Sequence, residues 1–180
     1  YAATWPDAII VYHASGMQLA LHSDASYLSE TKARSRAGGI HFLTDLDKID
    51  DPQAINGAVE CISTIIPSVV GSAFEAEYAA MYLNATTAEG IRSTLADLGY
   101  PQSSTPITSD NQCAVGVANR TVKQRRSKAI DMRYHWIRDR VAQGHFTVKW
   151  RPGKTNLADV CTKAHPSTHQ REMRPFFVKQ

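Results

Sequence analysis

Residues 18–24 read Gln18-Leu19-Ala20-Leu21-His22-Ser23-Asp24. Leu19 and Leu21 point one way along an extended chain, and Ala20, His22 and Asp24 the other. That alternation predicts a strand with an acid at its end. Working outward, Ser29–Arg36 is polar and basic and reads as a loop, and Gly38–Leu43 reads as a second strand. The acidic stretch Thr44–Asn56 closes on Asn56-Gly57, a turn signal, and Ala58–Ile66 is a third strand stopped by Pro67. Upstream, residues 1–17 carry Pro6 and Gly16 without a clean period and read as a leader or tether.

A long helix follows. Ser72-Ala73-Phe74-Glu75 matches a capping box, in which serine and glutamate satisfy each other's amides. Phe74, Tyr78, Met81, Ala85, Ala88, Ile91, Leu95 and Leu98 then recur near a 3.6 period, and Gly99 is the expected stop. Thr105–Ser109 reads as a strand, Asp110–Arg120 as a short helix, and Thr121–Ser127 as a basic loop. Lys128–Gln143 is a second long helix with Ile130, Tyr134, Ile137 and Val141 on one stripe. His145–Arg151 is a strand with Phe146, Val148 and Trp150 on one face, Asn156–Lys163 a short helix, and Pro166 onward a tail. This order predicts an α/β domain: a mixed sheet with helices packed on its faces.

The bulk numbers bound the function. The chain has 180 residues, enough for one sizeable core, and is 43% hydrophobic and 21% charged, as expected of a globular domain. It begins with Tyr1 and so reads as an excerpt from a longer product. No apolar run approaches the roughly 18 residues of a membrane span. Cys61, Cys113 and Cys161 are odd in number and far apart, which argues against a disulfide framework or zinc motif and for a reducing, intracellular setting. The net charge of +3 says little, but its distribution says more. Thr44–Asp51 is acidic, whereas Lys123–Arg140 is strongly basic, the footprint of a phosphate-backbone binder unless it is simply a solvated face.

Four acids are candidates for chemistry, each with an ordinary alternative. Taken singly, Asp24 at a strand end reads first as a turn residue, Asp110 as a helix N-cap, and Asp159 as a first-turn acid favoured by the helix dipole. Glu77 differs, because it falls between Phe74, Tyr78 and Met81, where a carboxylate is costly without compensation. Together the four are the right number and type to hold two hard divalent cations about 3.5–4 Å apart, which can stabilise both oxygens of a phosphate displacement. His22 and His41 read as structural, His165 and His169 as tail residues without ligand spacing, and Trp136 and Trp150 as core or interface residues rather than base-stacking platforms.

The motifs themselves carry a resemblance. Leu21-His22-Ser23-Asp24-Ala25-Ser26, Ser72-Ala73-Phe74-Glu75-Ala76-Glu77-Tyr78, Ser109-Asp110-Asn111-Gln112 and Asn156-Leu157-Ala158-Asp159-Val160-Cys161-Thr162-Lys163 resemble, in order, the acidic motifs of ribonuclease H domains. The last is similar to the Leu-Ala-Asp and Thr-Lys of copia-type LTR retrotransposons, and Arg126–Arg138 also looks copia-type. The resemblance covers roughly residues 19 to 165. It implies a ribonuclease H-like fold over residues 18–165, with a five-stranded mixed sheet and a tail at 166–180. It implies hydrolysis of the RNA strand of an RNA–DNA hybrid during reverse transcription, leaving 5′-phosphate and 3′-hydroxyl ends. Asp24, Glu77, Asp110 and Asp159 would hold two Mg2+, with Mn2+ as a substitute. Asn111 and Gln112 would contact nucleic acid, Gln112 at a ribose 2′-hydroxyl, the group that distinguishes RNA from DNA. Lys123, Arg125, Arg126 and Lys128 would meet phosphates. The implied partners are the hybrid and an upstream reverse transcriptase domain, with no membrane, a monomeric isolated domain and a cytoplasmic location.

Two departures accompany the resemblance. The loop Arg151–Thr155 before the last acid lacks the histidine that many ribonucleases H place there, with Lys154 the nearby titratable group. The basic segment Thr121–Lys128 stands where some relatives carry a basic extra helix. An integrase or transposase on the same fold would place a glutamate late in the chain, and the corresponding count from Asp110 falls on His145. A catalytically degenerate binding or structural module beside a reverse transcriptase is the remaining alternative.

Overall fold

The computed structural model describes residues 5–48, 56–122 and 131–179, and within the last stretch the side chains of Asp131 and Tyr134 fall outside the description. Five strands form one sheet: β1 Gln18–Glu30, β2 Arg34–Thr44, β3 Ala58–Ile65, β4 Thr105–Ser109 and β5 Phe146–Trp150. Their order is β3-β2-β1-β4-β5. β1, β2 and β3 pair antiparallel, and β4 and β5 join β1 in parallel, which makes the sheet mixed as the sequence order predicts.

The alternation in β1 sorts the two faces. Leu19 and Leu21 pack with Tyr78, Met81, Ala85 and Leu95 of helix α1, Ala73–Asp97. Each large side chain buried there contributes about 1.5–3 kcal/mol. Helices α2, Gln112–Ala118, and α3, Asp131–Ala142, complete that layer through Ala114, Val117 and Ile137. Ala20 of β1, with Ile40 and Phe42 of β2, packs on the other face against Leu157 and Met173.

Several expectations are corrected in detail. Asp24 does not end a strand, because β1 runs on to Glu30 and Ser29–Arg36 is a hairpin end, not a free loop; Glu30 pairs with Arg34 around a 3-10 turn at Thr31–Ala33. Ser72 caps α1 by accepting from the Glu75 amide at 3.2 Å, but Glu75 accepts in return from Gly71, at 2.8 Å, one residue before the expected partner. Leu98, placed on the apolar stripe, is exposed, because the helix ends at Asp97 and the chain turns at Gly99 with φ +91°. The last motif folds as a 3-10 helix, Leu157–Cys161. Residues 166–180, expected as a tail, contain helix α4, Ser167–Met173, whose Met173 is buried on the sheet. Ile9 from the supposed leader pairs with Lys179. Ile130 and the basic residues Lys123, Arg125, Arg126 and Lys128 lie outside the described residues.

Two glycines set how closely the layers approach β2. A Cβ on Gly39 would lie 1.6 Å from Asn84 Oδ1 of α1, and one on Gly38 would lie 2.6 Å from Thr162 on the opposite face. Only a bare backbone there lets both layers close on β1 and β2.

Candidate active site

β1 and β4 are parallel neighbours, with Leu21 beside Ile107 and His22 beside Thr108. Continuing that register three residues brings Asp24, mid-strand in β1, next to Asp110, which directly follows β4. The first turns of α1 deliver Glu77 to the same place. Ligand oxygens of Asp24, Glu77 and Asp110 lie within 4.8 Å of one another, although the three residues come from three elements. Asp24 and Glu77 are buried.

Asp110 is not the cap of α2. Asn111 is, accepting from the Ala114 amide at 3.0 Å. The Asp110 carboxylate is thereby left for other work. Its backbone is fixed from β5: Trp150 donates its Nε1–H to the Asp110 carbonyl at 2.8 Å. Gly153 keeps space open, since a Cβ there would sit 2.7 Å from Asp110 Oδ2. Gln112, the first residue of α2, is exposed.

The electrostatics are those of carboxylates held together out of water. Glu77 is pushed up to about 9, first by burial and then by the charges of Asp24 and Asp110, although the Ala25 amide donates to it. Its Oε2 is buried without a hydrogen-bond partner. Asp24 is pushed up to about 6, chiefly by burial, with Asp110 and Asp159 adding to the rise and a hydrogen bond from Thr162 opposing it. Burial raises Asp110 as well, with the Asp159 charge adding to the rise. Like charges at this spacing resist ionising together unless a cation compensates them.

Asp159 stands beside this trio, near enough for its charge to act on Asp24 and Asp110, but its carboxylate is engaged elsewhere. Lys163 Nζ holds Oδ1 at 2.5 Å, and His165 Nε2 lies 3.1 Å from Oδ2. The 3-10 helix that carries Asp159 is anchored on β1. His22 Nδ1 accepts from the Leu157 amide at 3.0 Å, and Asn156 donates to the Ser23 carbonyl at 2.9 Å while capping Ala158. Burial, then the Arg151 charge, holds His22 down at about 3, so it stays neutral and serves as an acceptor. The structural reading of His22 fits these contacts. His41 likewise meets buried Asn84 at 3.0 Å.

Sequence reasoning gave no role to Thr162 or Lys163, and it read Trp150 as a core or interface residue, whereas Trp150 is exposed and spends its indole N–H on the Asp110 carbonyl. Thr162 Oγ1 donates to Asp24 Oδ2 at 2.6 Å, so the Thr-Lys pair of the last motif serves two acids at once. The signal was present in that pair. Trp150 has no local signal, because its bond to Asp110 depends on strand order. Trp136 packs edge-on against Tyr82 at 5.3 Å, as a core residue does.

The donor set fits a hard divalent cation. It is all oxygen, its charges raise one another's affinity for protons, and the buried Glu77 Oε2, without a hydrogen-bond partner, has its lone pairs free to bind a cation.

Comparisons with known proteins place this geometry in context. No protein-family model matches the chain. A 110-residue stretch, 61% of the chain, is 32% identical to the retrovirus-related Pol polyprotein of transposon TNT 1-94 from Nicotiana tabacum. The chain spans 8% of that polyprotein's length. Among solved structures, the N-terminal ribonuclease H domain of a Mycobacterium tuberculosis protein superposes with a TM-score of 0.57 at 12% identity, over 88% of this chain and 97% of that one. The LC11 ribonuclease H1, obtained from compost and solved with an RNA/DNA hybrid, gives 0.58 at 12% identity, over 80% and 93%. The protease-reverse transcriptase of prototype foamy virus gives 0.54 at 15% identity, over 84% of this chain and 21% of that one. The fold is therefore ribonuclease H-like, and a 110-residue stretch of the sequence is similar to a transposon's retrovirus-related Pol polyprotein.

Proposed function

We propose that this chain is a metal-dependent ribonuclease H that hydrolyses the RNA strand of RNA–DNA hybrids during reverse transcription of a copia-type LTR retrotransposon. The observation that carries this reading is the convergence of Asp24, Glu77 and Asp110 from three elements, with a buried carboxylate oxygen of Glu77 lacking any partner. The ribonuclease H-like fold and the kinship with a transposon polyprotein support it.

In this reading Asp24, Glu77, Asp110 and Asp159 would hold two Mg2+ or Mn2+ ions, which would supply Lewis acidity and positive charge for phosphodiester hydrolysis to 5′-phosphate and 3′-hydroxyl ends. The protein's part is positioning. Thr162 keeps the Asp24 carboxylate turned toward the cluster, and Trp150 fixes the Asp110 backbone. Lys163 restrains Asp159 through Oδ1. Asn111 and the exposed Gln112 contact the hybrid at the mouth of the site, Gln112 at a ribose 2′-hydroxyl. Lys123, Arg125, Arg126 and Lys128 bind phosphates, which makes affinity fall with salt. In the parent polyprotein the domain works beside a reverse transcriptase.

Asp110→Asn tests the assignment. It removes a ligand and a negative charge facing phosphate but keeps the shape. Cleavage is expected to be lost while hybrid binding, read by fluorescence anisotropy, is kept or slightly tightened. Cleavage near the wild-type rate would overturn the reading.

A further inference from the structure

Beside the acidic trio lies a second cluster of different chemistry. Asp159 on the 3-10 helix meets His165, just before α4, and His169, within α4. Both imidazoles aim Nε2 at the same carboxylate oxygen: His165 at 3.1 Å and His169 at 3.7 Å from Asp159 Oδ2. The rings lie 4.4 Å apart at 33°. One of the two contacts has a simple explanation, since His165 Nε2 also lies 3.0 Å from the Asp159 carbonyl and a hydrogen bond satisfies it. His169 does not share that explanation. Its Nε2 is buried and has no hydrogen-bond partner. Both ring nitrogens and the carboxylate oxygen lie within 4.8 Å of one another, close enough to share one cation once His165 gives up the proton it donates to the Asp159 carbonyl.

The spacing fits a particular class of ion. Ligands about 2.0–2.1 Å from a tetrahedral centre lie roughly 3.3 Å from one another, and the two nitrogen–oxygen distances bracket that value. Two imidazoles and one carboxylate are a borderline donor set, suited to Zn2+ and poorly matched to Mg2+ or Ca2+, which take oxygen. Lys163 occupies Oδ1 of Asp159 and leaves Oδ2 to the histidines.

We propose that Asp159, His165 and His169 form a second, three-ligand site for a borderline divalent cation such as Zn2+, with a fourth position open to water. The site stands independently of the nuclease reading. One consequence rests on that reading: Asp159 belongs to both centres, so zinc at the histidines draws it from the acidic cluster and slows hybrid cleavage.

The test is Zn2+ binding to the full 180-residue chain by calorimetry, with Co2+ as a spectroscopic substitute. The wild type is expected to bind Zn2+, and Co2+ to give visible bands of nitrogen and oxygen ligation. Glu77→Gln/Asp110→Asn should retain that site. His169→Gln should weaken it by more than about tenfold, and His165→Gln/His169→Gln should abolish it. The Co2+ spectrum needs no substitution, so a poorly folding variant does not leave the question open. Wild-type affinity in the double histidine variant, loss of the site in the acidic variant, or absence of Zn2+ binding and Co2+ bands in the wild type would each overturn the proposal. Zn2+ binding without slower cleavage would sustain the site and refute only the shared role of Asp159.

Discussion

Glu77 is a carboxylate that the fold buries while leaving one oxygen without a donor. The cost shows as a pH dependence of the metal-free chain. In the folded state Glu77 holds its proton up to about 9, against an ordinary value of 4.5. Between those values the folded chain binds more protons than the unfolded one, so stability falls as pH rises through the window and levels off above it. Asp24, raised from 3.8 to about 6, acts in the same direction over a lower range. In EDTA, urea unfolding is expected to show a more stable protein at pH 5 than at pH 8. Glu77→Gln should flatten much of that slope and gain about 1–3 kcal/mol at pH 8, the size of an uncompensated buried polar group. Wild-type stability that rises with pH would contradict this picture. At this scale the sequence was informative where a residue broke its local pattern. Glu77 stood out on an apolar stripe, whereas Asp24 and Asp110 each had an ordinary local explanation that only the structure removes.

The elements work as positioning devices, and their closeness depends on small residues. α1 reaches β2 through Asn84, whose Nδ2 donates to the Gly38 carbonyl at 2.9 Å. Gly39 makes that approach possible, because any Cβ would collide with the Asn84 amide. Gly39→Ala is expected to destabilise the protein by about 1–3 kcal/mol, as overpacking a close interface does, and to move Glu77 with its helix. Denaturant midpoints check the first effect and Mg2+-supported cleavage the second. An unchanged midpoint would show that α1 is not held by this contact. Element type was legible wherever a period ran long enough, as in α1 and the strands. The last motif, read as a short helix over Asn156–Lys163, is a 3-10 helix at Leu157–Cys161, a distinction that five residues are too few for periodicity to make.

Across the whole molecule, the order of strands and helices was readable and the closing of the site was not. Alternation in β1 and β2 and the helical stripe of α1 fix which faces are apolar. The pairing of β1 with β4, which sets Asp24 beside Asp110, is a long-range contact with no local signature. The C-terminal segment was hidden for a different reason. α4 has seven residues and one buried side chain, Met173, so its sequence carries no apolar period, although it covers the sheet and brings His165 and His169 to Asp159.

The central claim is that three converging carboxylates and their neighbour Asp159 make a cation-dependent nuclease for hybrids. The most direct measurement is cleavage of an end-labelled RNA–DNA hybrid by this chain with Mg2+, Mn2+ or EDTA, beside single-stranded RNA and duplex DNA. The account predicts cutting of the hybrid's RNA strand alone, present with either ion and absent in EDTA. Intact hybrid in all three conditions, or equal cutting of duplex DNA, would contradict it.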